Sequence, residues 1–150
     1  MDTTSEDQLK AIFPRLCSTS FRITSPPDPR YNCIAWAAGD NQRWWEPDRM
    51  GLYYWPSSVP REYTLEALRG AFESLGFTTS VTDDFDPSAT RVSLFAKGSQ
   101  PTHASRQLSP SEWTSKIGPN VDISHELHAL VGSSYGAPSI MLRRPHPATT

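Results

Sequence analysis

Fourteen prolines are spread along this chain of 150 residues. Each fixes its own φ and lacks a backbone N–H, so it cannot sit inside a long helix without breaking it. A bundle of long helices is thereby disfavoured, and turns and ordered loops must be plentiful. The length is enough for one domain with one real core, and the chain is read as a single domain over 1–150.

Charge narrows the partners. The formal net charge is −2 and the basic residues are scattered, Arg143-Arg144 being their one local pair. Sequence-independent binding to a phosphate backbone needs a basic patch, so no nucleic acid is expected. No apolar run approaches the roughly 18 residues that span a bilayer, so no membrane is expected either. The start, Met1-Asp2-Thr3-Thr4-Ser5-Glu6-Asp7, lacks the basic residues and apolar stretch of a secretory signal, which leads to an expectation of a cytoplasmic protein. In a reducing compartment the two cysteines, Cys17 and Cys33, should be free thiols, with Cys17 a small buried apolar residue. Two cysteines and four separated histidines give no zinc spacing, and no cofactor is expected.

Residues 5–17 read as a short helix interrupted at Pro14. Residues 24–30 read as an extended polar connection rich in proline. From Tyr31 to Asp40 a short buried helix is predicted, with Asn32 as N-cap, Gly39 beyond its end and Cys33 in its first turn. Residues 40–60 are aromatic and irregular and should form a long ordered loop. Leu65, Leu68, Phe72 and Leu75 recur at helical spacing between Thr64 and Gly76. Strands are then predicted over 77–82, 91–97, 102–108 and 113–117, the last two joined by a turn at Ser109-Pro110-Ser111-Glu112, which also fits a capping box. A helix is predicted over 122–131, a last strand over 139–143 and a frayed tail over 145–150. Helices first and an antiparallel sheet after, with one late helix, make an α+β fold of N-terminal helices on a small sheet.

The chemistry centres on Cys33. A thiol is a strong nucleophile only as thiolate, favoured by a helix N-terminus and a nearby imidazolium. His103 opens a strand after a turn and is the first candidate for the base. His125 and His128, on the predicted late helix, compete with it, and His146 lies in the tail. Without a histidine nearby, Cys33 among Ile34, Ala35 and Trp36 would be an ordinary core residue. A third group should orient the imidazole. Ser115 on the following strand is one candidate, and Gln107 and Asp40 are others. A different hairpin register would instead present Lys116. Asn32 either caps the helix or lends its amide to an oxyanion hole beside the Cys33 N–H. Trp36 and Trp45 are candidate substrate contacts, and Trp44, Tyr53, Tyr54 and Trp55 either line a groove or fill the core. Arg43 and Arg106 either bind an acidic group or are solvated or ion-paired.

Asn32-Cys33-Ile34-Ala35-Trp36 on a helix, Thr102-His103-Ala104-Ser105-Arg106 on a strand and Trp113-Thr114-Ser115-Lys116-Ile117-Gly118 on the next resemble the papain-like fold in its compact bacterial form, as in NlpC-type peptidases. The same segments resemble an uncharacterised group of bacterial domains. The likeness runs from about Tyr31 to the late helix. It implies a cysteine hydrolase or acyl transferase: Cys33 attacks an amide, isopeptide or ester, His103 moves the proton, Ser115 is third member, and a thioester forms. The partner implied is a peptide, protein or other amide-containing substrate; the alternative is a non-catalytic binding or regulatory module of the same fold. NlpC-type enzymes commonly carry Asp before the Cys and Ser or Gly after it, where this chain has Asn32 and Ile34.

Overall fold

The computed structural model describes residues 3–82 and 84–147. Helix α1 (Thr3–Ile12) stops where Pro14 opens a 3-10 turn, Pro14–Ser18. Strand β1 (Arg22–Ser25) follows, then α2 (Cys33–Ala37) and α3 (Leu65–Glu73). The remaining strands are β2 (Thr78–Thr79), β3 (Ala89–Lys97), β4 (Gln100–Gln107), β5 (Trp113–Lys116), β6 (Asp122–His125) and β7 (Ala137–Pro145). All seven join one sheet in the order β1-β6-β5-β4-β3-β7-β2, and every pairing is antiparallel. The protein is thus α+β.

Two helices begin at side-chain caps. The Asn32 carboxamide oxygen accepts from Ala35 N and the Thr64 hydroxyl from Ala67 N, which satisfies amide groups that no helical carbonyl can reach. Helix α3 buries Ala67, Leu68, Ala71 and Phe72 in one cluster with Val92, Leu94, Ala104 and Leu142 of the sheet. A second cluster joins Leu9, Phe13 and Leu16 to Phe95, Ile123, Ala129 and Leu130. Neighbouring residues on a strand point to opposite faces, so Leu94 and Phe95 place these clusters on opposite sides of the sheet.

Four expectations are corrected. Residues 122–131 are not a helix: Asp122–His125 is strand β6, and Leu127–Leu130 is a single 3-10 turn. Ladder pairing to β1 on one side and β5 on the other overrides a weak helical pattern. Consequently His125 and His128 share no helix face; His125 is buried and His128 exposed. The connection at 24–30 begins as strand β1. The thiol-bearing residue Cys17 is exposed, not buried, because the 3-10 turn points Leu16 inward in its place. The last strand runs to Pro145, and the His146 N–H still bonds the Ser88 carbonyl at 2.8 Å; of the expected frayed tail, residues 148–150 lie outside the described residues. The segment at Ser109–Glu112 is a turn, with Leu108 N and Ser109 N bonding the Glu112 carbonyl. Among the described residues no helix is long and apolar enough to cross a membrane.

Candidate functional site

The site forms where β4 and β5 part. Their pairing covers Arg106↔Thr114 and Gln107↔Trp113 and goes no further. On its other edge β4 carries an irregularity between His103 and Pro101, next to a residue with no N–H to give the ladder; bulges of this kind re-aim side chains. The backbone N–H groups of Ala104, Ile34 and Cys33 itself lie near enough to the Cys33 thiol to favour its ionised form. Cys33 therefore comes from α2, on the α3 side of the sheet, and meets the backbone of β4 at the fork.

Cys33 and His103 line one cavity of about 200 Å³, together with Asn32, Trp45, Trp55 and Glu46. His103 is 1% exposed. Its ring stacks on Tyr135, with centroids 4.1 Å apart, and meets Phe95 edge-on at 5.3 Å. Its Nε2 lies 2.9 Å from Ser115 Oγ, while its Nδ1 has no hydrogen-bond partner. Ser115 Oγ is also 2.6 Å from Ser105 Oγ and 2.7 Å from His125 Nε2, and His125 Nδ1 is 2.7 Å from the Glu126 carbonyl.

Electrostatically the site rests neutral. Burial pushes the Cys33 thiol up to about 11, against the pull of the three surrounding N–H groups and the Lys116 charge. Burial, reinforced by the neighbouring His125, holds His103 well below the usual histidine range. Burial likewise takes His125 down to about 4. No hydrogen bond joins the thiol to the imidazole, so the resting pair is thiol and imidazole rather than thiolate and imidazolium.

The other sequence candidates divide. Ser115 faces His103, which settles the register: Lys116 points to the other face, where its ammonium is fully buried and donates to the carbonyls of Asp28, Tyr31 and Gly118. That cation ties down the segment leading into Cys33. Trp45 is buried in the cavity wall, its indole N–H on Asp40 at 2.8 Å. Asn32 takes the capping one of its two expected roles, and Trp36, Gln107 and Asp40 do not take the site roles expected of them. The Asn32 amide is committed, its oxygen to Ala35 N and Trp45 N and its nitrogen to the Trp45 carbonyl at 2.7 Å, so it caps and braces instead of serving an oxyanion. Trp36 leans on the sheet, its N–H on Thr114 Oγ1 at 2.9 Å, and is not part of the cavity. Gln107 accepts from Arg91 and lines a separate, larger cavity with Ser93 and Trp113. Asp40 does not orient His103 either; it holds Trp45 and Arg43. Arg106 lies over the Trp36 ring at 5.4 Å.

Tyr135 and Ser105 join the site without having been expected to take part in it. Ser105 was legible as the next same-face residue after His103. Tyr135 depends on Gly136, which has φ 70° and stands where a Cβ would lie 2.1 Å from the Ala96 carbonyl oxygen. Only glycine permits so close an approach, and it brings the preceding ring onto His103. The available signal was the turn-like run Gly132-Ser133-Ser134-Tyr135-Gly136. Among the described residues no group of three His, Cys, Asp or Glu side chains is placed to hold a metal ion.

Fold and site together define an α+β protein in which a helix-borne thiol and a strand-borne imidazole share one small cavity. The chain belongs to the family described as Domain of unknown function (DUF7689), whose model matches residues 22–143. That span holds Cys33, His103, Ser115 and His125. No curated protein and no solved structure shows a significant match.

Proposed function

We propose that this protein is a papain-like cysteine hydrolase or acyl transferase that acts on an amide, isopeptide or ester bond of a peptide, protein or other amide-containing substrate. The observation that carries the reading is the shared cavity of Cys33 and His103, with one ring nitrogen of His103 held by Ser115 and the other unpartnered. The papain-like architecture is supported by the order of parts: Cys33 in the first turn of α2, then His103 and Ser115 on adjacent antiparallel strands. As the Cys33 sulfur bonds to the substrate carbonyl carbon, its proton passes to His103 Nδ1 and the carbonyl oxygen takes the negative charge. Collapse of this adduct expels an amine or alcohol, which takes the proton back, and leaves a thioester. Water, or an acceptor amine in a transferase, then releases the acyl group and restores the thiol. Because the resting pair is neutral, proton transfer accompanies bond formation instead of preceding it.

Acylation by a p-nitrophenyl ester, followed by mass spectrometry of the intact protein, tests the reading. Cys33 should form the thioester faster than the exposed Cys17, which serves as an internal control. His103→Ala should slow it by about 10²-fold or more, the usual contribution of a general base. Equal rates at the two cysteines, unchanged by His103→Ala, would sink the proposal.

A second reading, a non-catalytic binding module of the same fold, is favoured by one observation: the desolvated thiol with no hydrogen bond to His103. It expects the flat outcome of the same experiment.

A further inference from the structure

The chemistry above leaves His125, a second imidazole 1% exposed, without a role. Counting hydrogens along the contacts supplies one. The Glu126 carbonyl can only accept, so His125 Nδ1, 2.7 Å away, carries its hydrogen. In a neutral ring the other nitrogen, Nε2, is then an acceptor. The group facing it is the Ser115 hydroxyl, 2.7 Å away. Ser115 has one hydrogen, and giving it to His125 turns its oxygen into an acceptor toward both Ser105 at 2.6 Å and His103 Nε2 at 2.9 Å. His103 must then carry its hydrogen on Nε2. Its Nδ1 keeps the lone pair, and that is the buried atom without a partner.

We infer that His125 is a positioning residue for the site, which acts through Ser115 to fix His103 in the tautomer whose Nδ1 is a free base. The inference rests on the reading of Cys33 and His103 as nucleophile and base. A lone serine is a poor orienter because its hydroxyl can turn and donate to His103 instead; His125, itself pinned by the Glu126 carbonyl, removes that option. The buried pair His103 and His125 thus act in series, one as base and one as the anchor of its orientation.

Long-range proton–nitrogen correlation spectra of protein labelled with ¹⁵N-histidine read the tautomer directly. The wild type should show His103 as the Nε2–H form. His125→Leu leaves the Ser115 hydroxyl free to donate to His103, so the Nδ1–H form should appear and Cys33 acylation should fall by about tenfold or more. His125→Gln can accept from Ser115 and donate to Glu126 with one amide; it should keep the Nε2–H form and recover most of the rate. If His125→Leu does not fold, Ser115→Ala, which cuts the same link, serves in its place. A wild-type His103 in the Nδ1–H form overturns the inference, and so does a His125→Leu protein with an unchanged tautomer and rate. The two readings fail separately. Acylation that requires His103 but ignores His125 removes the positioning role and leaves the enzyme. The expected tautomer switch with acylation indifferent to His103 leaves the relay and removes the enzyme.

Discussion

On the α3 side of the sheet, Val92, Leu94, Ala104 and Leu142 meet Ala67, Leu68, Ala71 and Phe72 in a cluster that is apolar apart from the edge of Trp55, whose N–H is satisfied by the Pro60 carbonyl at 3.0 Å. On the other side, Phe95 and Ile123 share their face with His103, Ser105, Ser115 and His125, all of them buried. The α3 cluster on the first side obeys the rule that burial removes apolar area from water, although the same face, further along the sheet, also buries Lys116 and Asp122. The second spends buried positions on polar groups that hold each other in one chain of hydrogen bonds. Such a chain stabilises only when every member is satisfied, and here one lone pair, on His103 Nδ1, is left over. The contrast sets an apolar cluster on one face against a hydrogen-bonded polar chain on the other, with Cys33 of α2 sharing one cavity with His103.

The sharpest way to break that contrast is to remove a large side chain from the apolar face. Phe72 is fully buried in van der Waals contact, so Phe72→Ala should cost about 3–5 kcal/mol in urea unfolding. The folded fraction should acylate Cys33 at the wild-type rate. A rate that falls with the stability would mean the two faces are not separate.

Acid should act on the polar face next. His125 is held down to about 4 by burial, and His103 well below its usual range. Between the unfolded value near 6.5 and these folded values, the unfolded chain binds more protons, so stability is full above pH 6.5 and drains as the pH falls. For His125 alone the loss by pH 4 is roughly 3 kcal/mol. Carboxylates held low by their partners, such as Asp28 at about 2 beside Arg30, act mainly below this window. Urea midpoints at pH 7 and pH 4.5 should differ clearly in the wild type and less in His125→Gln; an equal acid slope in both would assign the effect elsewhere.

Much of this was legible in the residues. The Asn32 cap, the α3 periodicity and the alternation from Arg91 to Lys97 and from Thr102 to Leu108 are local signals, and the corresponding elements formed. Placing His103 and Ser115 on consecutive strands made their pairing one candidate, but the register that brings Ser115 rather than Lys116 to His103 is visible only in the fold. What was not legible is set by partners distant in the chain. Residues 122–125 become a strand because β1 and β5 flank them, and β1 exists because β6 does. His125 therefore changed from a rival base on a helix to an anchor on a strand. Asn32 could be known as a cap but not as spent, since its second set of bonds comes from the backbone of Trp45.

Gly136 links the two sides more modestly. A left-handed φ costs an L side chain about 1–2 kcal/mol, and the added Cβ would also press on the Ala96 carbonyl. Gly136→Ala should lower the melting temperature and shift Tyr135 from the His103 ring, so acylation should slow while Phe72→Ala leaves it alone. A destabilised Gly136→Ala protein with full acylation rate would show that the stacked ring covers His103 without helping it.

The smallest effect expected is at Gln107, and it tests how far the polar face extends. Gln107 stands on the same side of β4 as His103 and Ser105, which is why sequence reasoning nominates it. Its carboxamide oxygen, however, accepts from Arg91 at 2.8 Å, at the end of the strand where β4 and β5 are still paired. Gln107→Ala removes one half-buried hydrogen bond, worth about 1 kcal/mol, from a guanidinium that also bonds the Thr82 carbonyl at 2.7 Å. Nothing in that change reaches Ser115, so the His103 tautomer and the Cys33 acylation rate should both stay as they are. If acylation slows instead, the fork is not the boundary of the site, and the larger cavity beside Ser93 and Trp113 has to be counted as part of it.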